Sequence, residues 1–375
     1  MQASYTINVL DSFGAVVATL DTARASSLRY ERTLNDVSTA QFTLALNDPA
    51  TALLGKHTWF EVFRHRTPAE RQREGTFMVA VLDQFRDEDG QDWLIVSGVS
   101  LEFLLLQRVL DVRNDPLVAG GWSTKLLKRD VLMAQLVHEQ AGPGAFQHGI
   151  TPSQQVPGLT VEDSGGVGDP IPFRRAWDGL LSILTDLAAG DAMDFEITRT
   201  IGVNMLFRAR QIGEDKTKAA NYPLRPFVVL SPELGRLAEP RLLRDWREEK
   251  TVVYLMGKGA GDNREFYGSM AANAQETPYS YAATVEDLRQ ADDATEYITQ
   301  AQEALAKNRA KVEFSCTVAQ AEDLYGVVWD LGDVVTVRWM KNERDMRITG
   351  VTVDVSDETE TVTPKLRGRY EQNAG

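Results

Sequence analysis

Ala40-Gln41-Phe42-Thr43-Leu44-Ala45-Leu46, followed through a loop by Trp59-Phe60-Glu61-Val62-Phe63, sets down a pattern that the chain repeats near its end. The second copy reads Val312-Glu313-Phe314-Ser315-Cys316-Thr317-Val318 and then, after a loop of similar length, Asp333-Val334-Val335-Thr336-Val337. Each copy goes on to a hairpin. The first runs over Phe77–Phe85 and turns at Asp87-Glu88-Asp89-Gly90; the second runs over Arg347–Val355 and turns at Asp357-Glu358-Thr359. Phe42, Leu44 and Leu46 share one face, as do Val351, Val353 and Val355, the period of two of a half-buried strand. Any two antiparallel hairpins alternate in this way. The shared order and spacing are what point to one small β-barrel carried twice. A duplicated element lets a ring of n subunits present a surface of pseudo-2n-fold symmetry, a property of symmetry adaptors and not of enzymes.

The 375 residues suggest two to three domains, and 43% hydrophobic with 25% charged residues is ordinary for a chain with buried cores. A formal charge of −14 opposes free binding to nucleic acid, which needs clustered Lys and Arg to displace counterions. It suits a surface past which DNA slides without sticking. The lone cysteine, Cys316, lies in an alternating strand and reads as an inert core residue, unable to build a disulfide or a zinc site. Met1-Gln2-Ala3-Ser4-Tyr5 has neither a basic nor an apolar leader region, and no run is long and apolar enough to span a bilayer. Synthesis in the cytoplasm is the expectation.

The expected fold is mainly β with α+β insertions: two antiparallel barrels and two smaller α+β domains. The first barrel covers 1–112. It opens with a hairpin, Tyr5–Leu10 and Ala15–Leu20 about Asp11-Ser12-Phe13-Gly14, continues through Leu28–Leu34, and is closed by Leu101–Leu106 as a buried helical turn or strand. An α+β domain follows over 113–226. In it Ser123 caps a helix from about Lys125 to Gln140 that Gly142-Pro143-Gly144 stops. Next come a long irregular stretch from Gln147 to Phe173, a helix from Ala176 to Ala189, and a hairpin of Ala192–Thr198 with Val203–Gln211. The second barrel is split between 227–257 and 312–366, its first piece holding Phe227–Leu230, Arg241–Trp246 and Thr251–Met256. The inserted domain, 258–311, carries a strand at Arg264–Met270. It also carries a helix from about Val285 to Lys311, whose small-residue stripe of Ala291, Ala294, Ile298, Ala301, Leu305 and Ala306 suits packing on a neighbour. Residues 367–375 form a tail.

Residues with potential chemistry are scattered. Gly257-Lys258-Gly259-Ala260-Gly261-Asp262 follows a strand but lacks the spacing and the Lys-Ser/Thr of a phosphate loop. His57, His65, His138 and His148 show no ligand spacing, and no nucleophile elbow or Cys/His pair occurs. Acids cluster at Asp87-Glu88-Asp89, Glu162-Asp163, Asp292-Asp293 and Asp357-Glu358, where two of the clusters sit on hairpin turns and read as solvated turn formers. Asp163 and Asp169 are the acids least like the repeat. Trp59, Trp93, Trp122, Trp177, Trp246, Trp329 and Trp339 are spread singly, as core or interface anchors are. No catalytic, cofactor-binding or metal residue is assigned.

Two segments carry a resemblance. They are Leu28–Asp36 with Gln41-Phe42-Thr43-Leu44, and Tyr325-Gly326-Val327-Val328-Trp329-Asp330-Leu331-Gly332-Asp333 running into Val334–Val337. With the order of the remaining strands, they resemble the tail hub, or baseplate hub, proteins of long-tailed bacteriophages. The resemblance implies two tail-tube-like barrels around one α+β domain with another inserted. It implies a homotrimer of the virion tail, assembled in the host cytoplasm, whose six barrels continue a six-fold tail tube while three-fold symmetry faces a spike or fibre. The implied partners are the tail-tube or distal tail protein, a tip protein and the tape measure protein, with genomic DNA passing through the channel unbound. Alternatives are a tail-associated cell-wall hydrolase, with Arg113–Pro226 as its catalytic part, and a module binding host carbohydrate.

Overall fold

Asp11 sets the first turn: its Oδ1 accepts from the backbone N–H of Phe13 and of Ala15, each at 2.9 Å. The computed structural model describes residues 4–21, 25–56, 58–67, 70–111, 122–123, 127–145, 154–167, 170–171, 173–175, 177–189, 193–221, 226–234, 238–259, 263–272, 279–288, 294–317, 325–340, 342–356 and 359–368. Around the Asp11 turn β1 (Ser4–Leu10) and β2 (Val16–Asp21) form the expected hairpin. β3 (Ala25–Thr33) and β4 (Thr39–Ala45) are joined by a turn in which Asn35 takes φ 59°, a conformation its short amide side chain tolerates. β5 (Trp59–Thr67), the long β6 (Glu70–Arg86) and β7 (Asp92–Ser100) complete this half. The helical turn α1 (Phe103–Leu106) does not close a barrel: Leu101 and Leu105 are buried in the core of the middle segment.

In that segment β8 (Trp122–Ser123) and β9 (Leu127–Lys128) precede α2 (Arg129–Gln140). The helix expected from Lys125 thus starts later, and Ser123 is not its cap. Ser123 is paired as a strand with Arg174, and Leu127 and Lys128 with Ile171 and Pro170, so the residues immediately before the helix are extended. Lys125 and Leu126 lie outside the described residues. β10 (Leu159–Val161), β11 (Pro170–Ile171) and β12 (Arg174–Arg175) fall within or just beyond the stretch expected to be irregular. Then come α3 (Leu180–Ala188), β13 (Asp194–Arg199), β14 (Met205–Arg210) and α4 (Lys218–Asn221). β13 and β14 make the expected hairpin, and β10 joins β14 in parallel. Leu132, Leu136 and Val137 of α2 and Leu180, Leu181 and Leu184 of α3 share one core with Phe195 and Phe207, which stack at 6.1 Å.

The last part holds β15 (Val229–Leu230), β16 (Ala238–Asp245), β17 (Val252–Met256), β18 (Phe266–Ala271), β19 (Ala283–Asp287) and α5 (Ala294–Lys307). It ends with β20 (Lys311–Thr317), β21 (Val334–Trp339), β22 (Asn342–Ser356) and β23 (Thr359–Gly368). Two expectations change here. Thr251–Met256 does not begin the second barrel, because β17 is the centre of a separate sheet, β18-β17-β19. Val285 does not open a helix: it lies on β19, where β-branched Thr284 and Val285 pair in parallel with β17. The small residues of α5 serve this sheet, with Ala301, Ala304 and Leu305 buried against Val253 and Leu255, so the helix has a core of its own.

The remaining strands form one mainly antiparallel sheet of 13 strands, in the order β16-β20-β23-β22-β3-β4-β7-β6-β5-β1-β2, with β21 on β22 and β15 on β21. The path runs open from β16 to β2 and does not close into a barrel. Within it the run β3-β4-β7-β6-β5 is matched by β16-β20-β23-β22-β21, with the same neighbours in each. Around one shared bulge the registers agree to the residue. In the first run the extra residue is Ala80, three residues past Phe77 of the pair Phe60↔Phe77; in the second it is Thr349, three past Met346 of the pair Val335↔Met346. Ala40 opposite Gly98 corresponds to Phe314 opposite Leu366. For β4 and β20 the alignment is two residues from the one read in sequence, an even shift that keeps side chains on their face; for β5 with β21 and β6 with β22 it is one residue off, so there the faces read in sequence are exchanged. The two runs share one core, in which Leu28, Tyr30 and Phe42 meet Phe314, Val351 and Val353.

The middle segment is attached where glycines meet. Gly213 has φ +83°, and a Cβ there would lie 2.1 Å from the carbonyl carbon of Gly332. At Gly90, φ is +81° and nothing lies within 4 Å of the same position. Gly90→Ala should therefore cost only the conformational part, about 1–2 kcal/mol. Gly213→Ala should cost at least about 2 kcal/mol more, because backbone must move as well. Urea unfolding of both variants checks this; equal midpoints would contradict it.

Candidate functional site

Residues Ser27–Thr33 of β3 and Gly350–Ser356 of β22 meet in seven consecutive antiparallel pairs, from Gly350↔Thr33 to Ser356↔Ser27. This ladder joins the two runs of the repeat. It forms because β22 is long enough to serve two neighbours on one edge, β21 over its first part and β3 beyond the bulge. Thr349, the extra residue, turns its carbonyl to accept from Leu34 N–H at 2.9 Å.

Buried charges tie the same seam. Asp194, fully buried, accepts from Asn35 Nδ2 at 2.8 Å, from Ile212 N–H at 2.8 Å and from Arg347 Nη2 at 2.5 Å. One carboxylate of the middle segment thus holds the β3–β4 turn and β22 together. Arg64 is also fully buried. Its Nη2 meets Glu360 at 2.8 Å, its Nε donates to Tyr5 Oη at 3.1 Å and its Nη1 to Tyr325 O at 2.9 Å. Tyr325, from the loop before β21, donates its hydroxyl to Glu74 at 2.7 Å and accepts from Arg32 at 2.8 Å. Burial pushes the Tyr325 hydroxyl well above its usual range, so it stays a donor.

Between β3, β6 and β13 lies a cleft of about 210 Å³, lined by Arg32, Arg73, Glu74, Glu102 and Arg199 among others. Its acids have partners, although Glu74 Oε1 is buried without one. Glu61 beneath it accepts from Arg73 at 3.0 Å and from Arg199 at 2.9 Å, and Glu102 accepts from Ile197 N–H at 2.8 Å. Sequence reading singled out none of these residues. Single charges on alternating strands give no signal until pairing brings Glu74 beside Tyr325, 251 residues away.

The residues weighed in sequence are dispersed. Asp87 accepts from Trp93 Nε1 at 2.6 Å and from Gln91 N–H at 2.8 Å, as a turn former does. Glu162 pairs with Arg208 at 3.0 Å, and Asp163 is exposed. His65 Nε2 lies 2.8 Å from Thr6 Oγ1, and His138 stands exposed on α2. Gly257–Gly259 enters the β17–β18 hairpin, with Gly257 N–H donating to Glu265 O at 2.7 Å. Cys316 is buried, which pushes its thiol up to about 12. Trp329 is fully buried and packs on Tyr325 at 5.2 Å, whereas Trp177 and Trp246 are exposed. His57, His148, Asp169, Asp292, Asp293, Asp357, Glu358 and 260–262 lie outside the described residues. Among the described residues no group of three or more His, Cys, Asp or Glu converges on one point, and no helix is long and apolar enough to cross a membrane.

Two variants probe the seam. Asp194→Ala removes the buried carboxylate that Arg347 meets and should lower stability by about 3–5 kcal/mol in urea unfolding. A loss under about 1 kcal/mol would show that the node carries little. Burial raises the Glu74 carboxyl above its ordinary value of 4.5, against the pull of Arg32. The folded chain therefore holds this proton more tightly than the unfolded one. Its stabilising contribution is complete below 4.5 and is lost as pH rises through the raised value. Glu74→Gln should flatten the fall of the urea midpoint just above pH 4.5; a steeper fall would contradict the assignment.

Sequence comparison with curated proteins finds no match. Among solved structures, the chain is similar to the 43 kDa tail protein of prophage MuSo2 from Shewanella oneidensis, with TM-score 0.58, 14% identity and coverage of 97% of each chain. It is similar to the tail protein from Neisseria meningitidis MC58, with TM-score 0.58, 12% identity and coverage of 97% of this chain and 96% of that one. It is also similar to a chain of the half-lidded Francisella PdpA-VgrG complex, with TM-score 0.51, 9% identity and coverage of 99% of this chain and 59% of that one. At these identities the likeness is one of fold, the fold of phage tail proteins. The model of the Siphovirus ReqiPepy6 Gp37-like proteins matches residues 6–366, nearly all of what was read as two related halves around an inserted middle, and the chain belongs to that family of siphovirus tail proteins.

Proposed function

We propose that this chain is the hub of a siphovirus tail tip, a homotrimer that adapts the six-fold tail tube to a three-fold tip and lets DNA through. The observation that carries the reading is the doubled strand order, β3-β4-β7-β6-β5 and β16-β20-β23-β22-β21, in one chain. Each run stands for one tube-like barrel, so three chains offer six such faces to a tube and three to a spike or fibre. In domain terms the two tube-like units, each built on one run of the open sheet, are 1–112 and 227–257 with 312–366, the middle domain is 113–226, the insertion is 258–311 and 367–375 is a tail. β17 is better counted with the insertion, whose sheet it centres.

The role is structural rather than enzymatic. The family supports this, as do the carboxylates of the cleft, which are held in ion pairs and hydrogen bonds. The similar Francisella chain is solved in a PdpA-VgrG complex, which supports partners of the tail-tip kind here: the tube or distal tail protein, a tip protein and the tape measure protein. A net charge of −14 per subunit makes an acidic channel wall the natural arrangement, repelling DNA phosphates over a Debye length of about 8 Å. Light scattering or native mass spectrometry should give three times 41.7 kDa. A mass that stays monomeric at micromolar concentration with the tube protein present would end this reading, and turnover of purified peptidoglycan would favour a hydrolase instead.

A further inference from the structure

Among the described residues several strands are paired on one side only, and for two of these edges the repeat says what each should meet. The first is the far half of β6. β5 covers one edge of β6 only as far as Trp59↔Met78, so beyond the bulge Val81–Arg86 pair with β7 alone. This stretch is exposed along its whole length, and Val81, Leu82 and Phe85 are among its side chains. The second is β16, which pairs with β20 and ends the sheet, with Leu243 and, just past it, Trp246 exposed. Such edges are templates for another chain unless they are covered.

In the second run, the strand in the place of β6 is β22, and its half beyond the bulge is not bare: it carries β3. In that same second run, the strand in the place of β3 is β16. The junction made inside the chain by β22 and β3 thus has a counterpart that a single chain leaves open. We infer that β16 of one copy adds to the free half of β6 of the next, antiparallel, in the register of the internal junction. This rests on the hub reading above and supplies its subunit interface.

The register follows from the two bulges. Val81 corresponds to Gly350 and Leu82 to Val351; Arg244 corresponds to Arg32 and Asp245 to Thr33. Gly350↔Thr33 and Val351↔Arg32 inside the chain therefore become Val81↔Asp245 and Leu82↔Arg244 between copies. Asp83↔Leu243, Gln84↔Leu242 and Phe85↔Arg241 follow. Leu34, whose N–H reaches the bulge carbonyl of Thr349, corresponds to Trp246, which would reach the carbonyl of Ala80.

The chemistry of this register is complementary. Phe85 receives a guanidinium, an arrangement the chain already uses where Arg71 lies 3.6 Å over Phe63. Asp83 lies diagonally across from Arg241, and Leu82 and Val81 lie diagonally across from Leu242 and Leu243, covering apolar side chains that water now meets. Each copy has one donor and one acceptor edge, so the contact is head-to-tail and closes as a ring when the rotation per copy allows.

Directly opposed residues in an antiparallel pair have Cα atoms about 4.5–5.5 Å apart, within disulfide range. The full chain carrying Asp83→Cys and Leu243→Cys should, on mild oxidation, give covalent dimers and trimers on a non-reducing gel. A control with Asp83→Cys and Val17→Cys, the latter on the β2 edge, should give none; buried Cys316 does not compete. In the unmodified protein, amides of 80–86 and 238–245 should exchange at least about tenfold more slowly once the oligomer forms. A trimer by mass whose exchange at these segments is unchanged, or which cross-links only through Val17, overturns this junction and leaves the hub reading standing. A protein that is monomeric at every concentration overturns both.

Discussion

The ladder between β3 and β22 is the constraint on which the rest of the molecule depends. Because strand side chains alternate, a slip of one residue in this ladder would turn Leu28, Tyr30, Val351 and Val353 out of the core together. The bulge at Thr349 makes the ladder possible. It adds twist, ends the pairing with β21 and frees the following residues for β3. The bulge between Val79 and Val81 does the first two of these things in β6 and leaves the third undone, since the pairing with β5 stops there and no other strand among the described residues takes its place.

Buried charge accompanies the ladder where three parts of the chain converge. Taking Arg64, Glu360, Asp194 and Arg347 out of water costs several kcal/mol per ion, and one attractive pair does not reliably offset that. Here each group is surrounded by further partners: Arg64 by Tyr5 and the Tyr325 carbonyl, Asp194 by Asn35 and Ile212. Groups satisfied only when β13 meets β22 and the β3–β4 turn, and β5 meets β23, in one relative position penalise every other position. Their contribution is to geometry more than to stability, in a chain whose two halves resemble each other enough to pair wrongly.

The middle segment and the insertion attach by different means. Gly14 against Gly202 and Gly213 against Gly332 bring backbones together at distances that no side chain allows, so the middle segment meets both runs closely. The insertion has its own sheet and helix, with a core of Val253, Leu255, Ala301 and Leu305, and reaches the middle segment through Lys307 and Asp186 at 3.0 Å. A unit with a separate core can differ in size or shape without disturbing the sheet it interrupts.

The strands of the repeat were legible in the sequence because burial on one face writes a period of two into Phe42, Leu44, Val351, Val353 and Val355. The turn acids were legible because Asp11 and Asp87 bond their own backbone nearby. Segments whose neighbours are distant were misread. Ser123 looked like a cap until Arg174 paired with it, Val285 looked helical until β17 lay beside it, and Leu105 looked like a barrel stave until the middle segment covered it. The cleft and the nodes around Asp194 and Tyr325 had no sequence signal, since a buried ion pair is one ordinary charge at each of two remote positions. Local periodicity and turn chemistry were determined by the sequence alone. Which edge met which strand, and which edges were left bare, was decided only by tertiary structure, because the hydrogen-bonding groups of a strand edge belong to the backbone and are the same for every residue but proline.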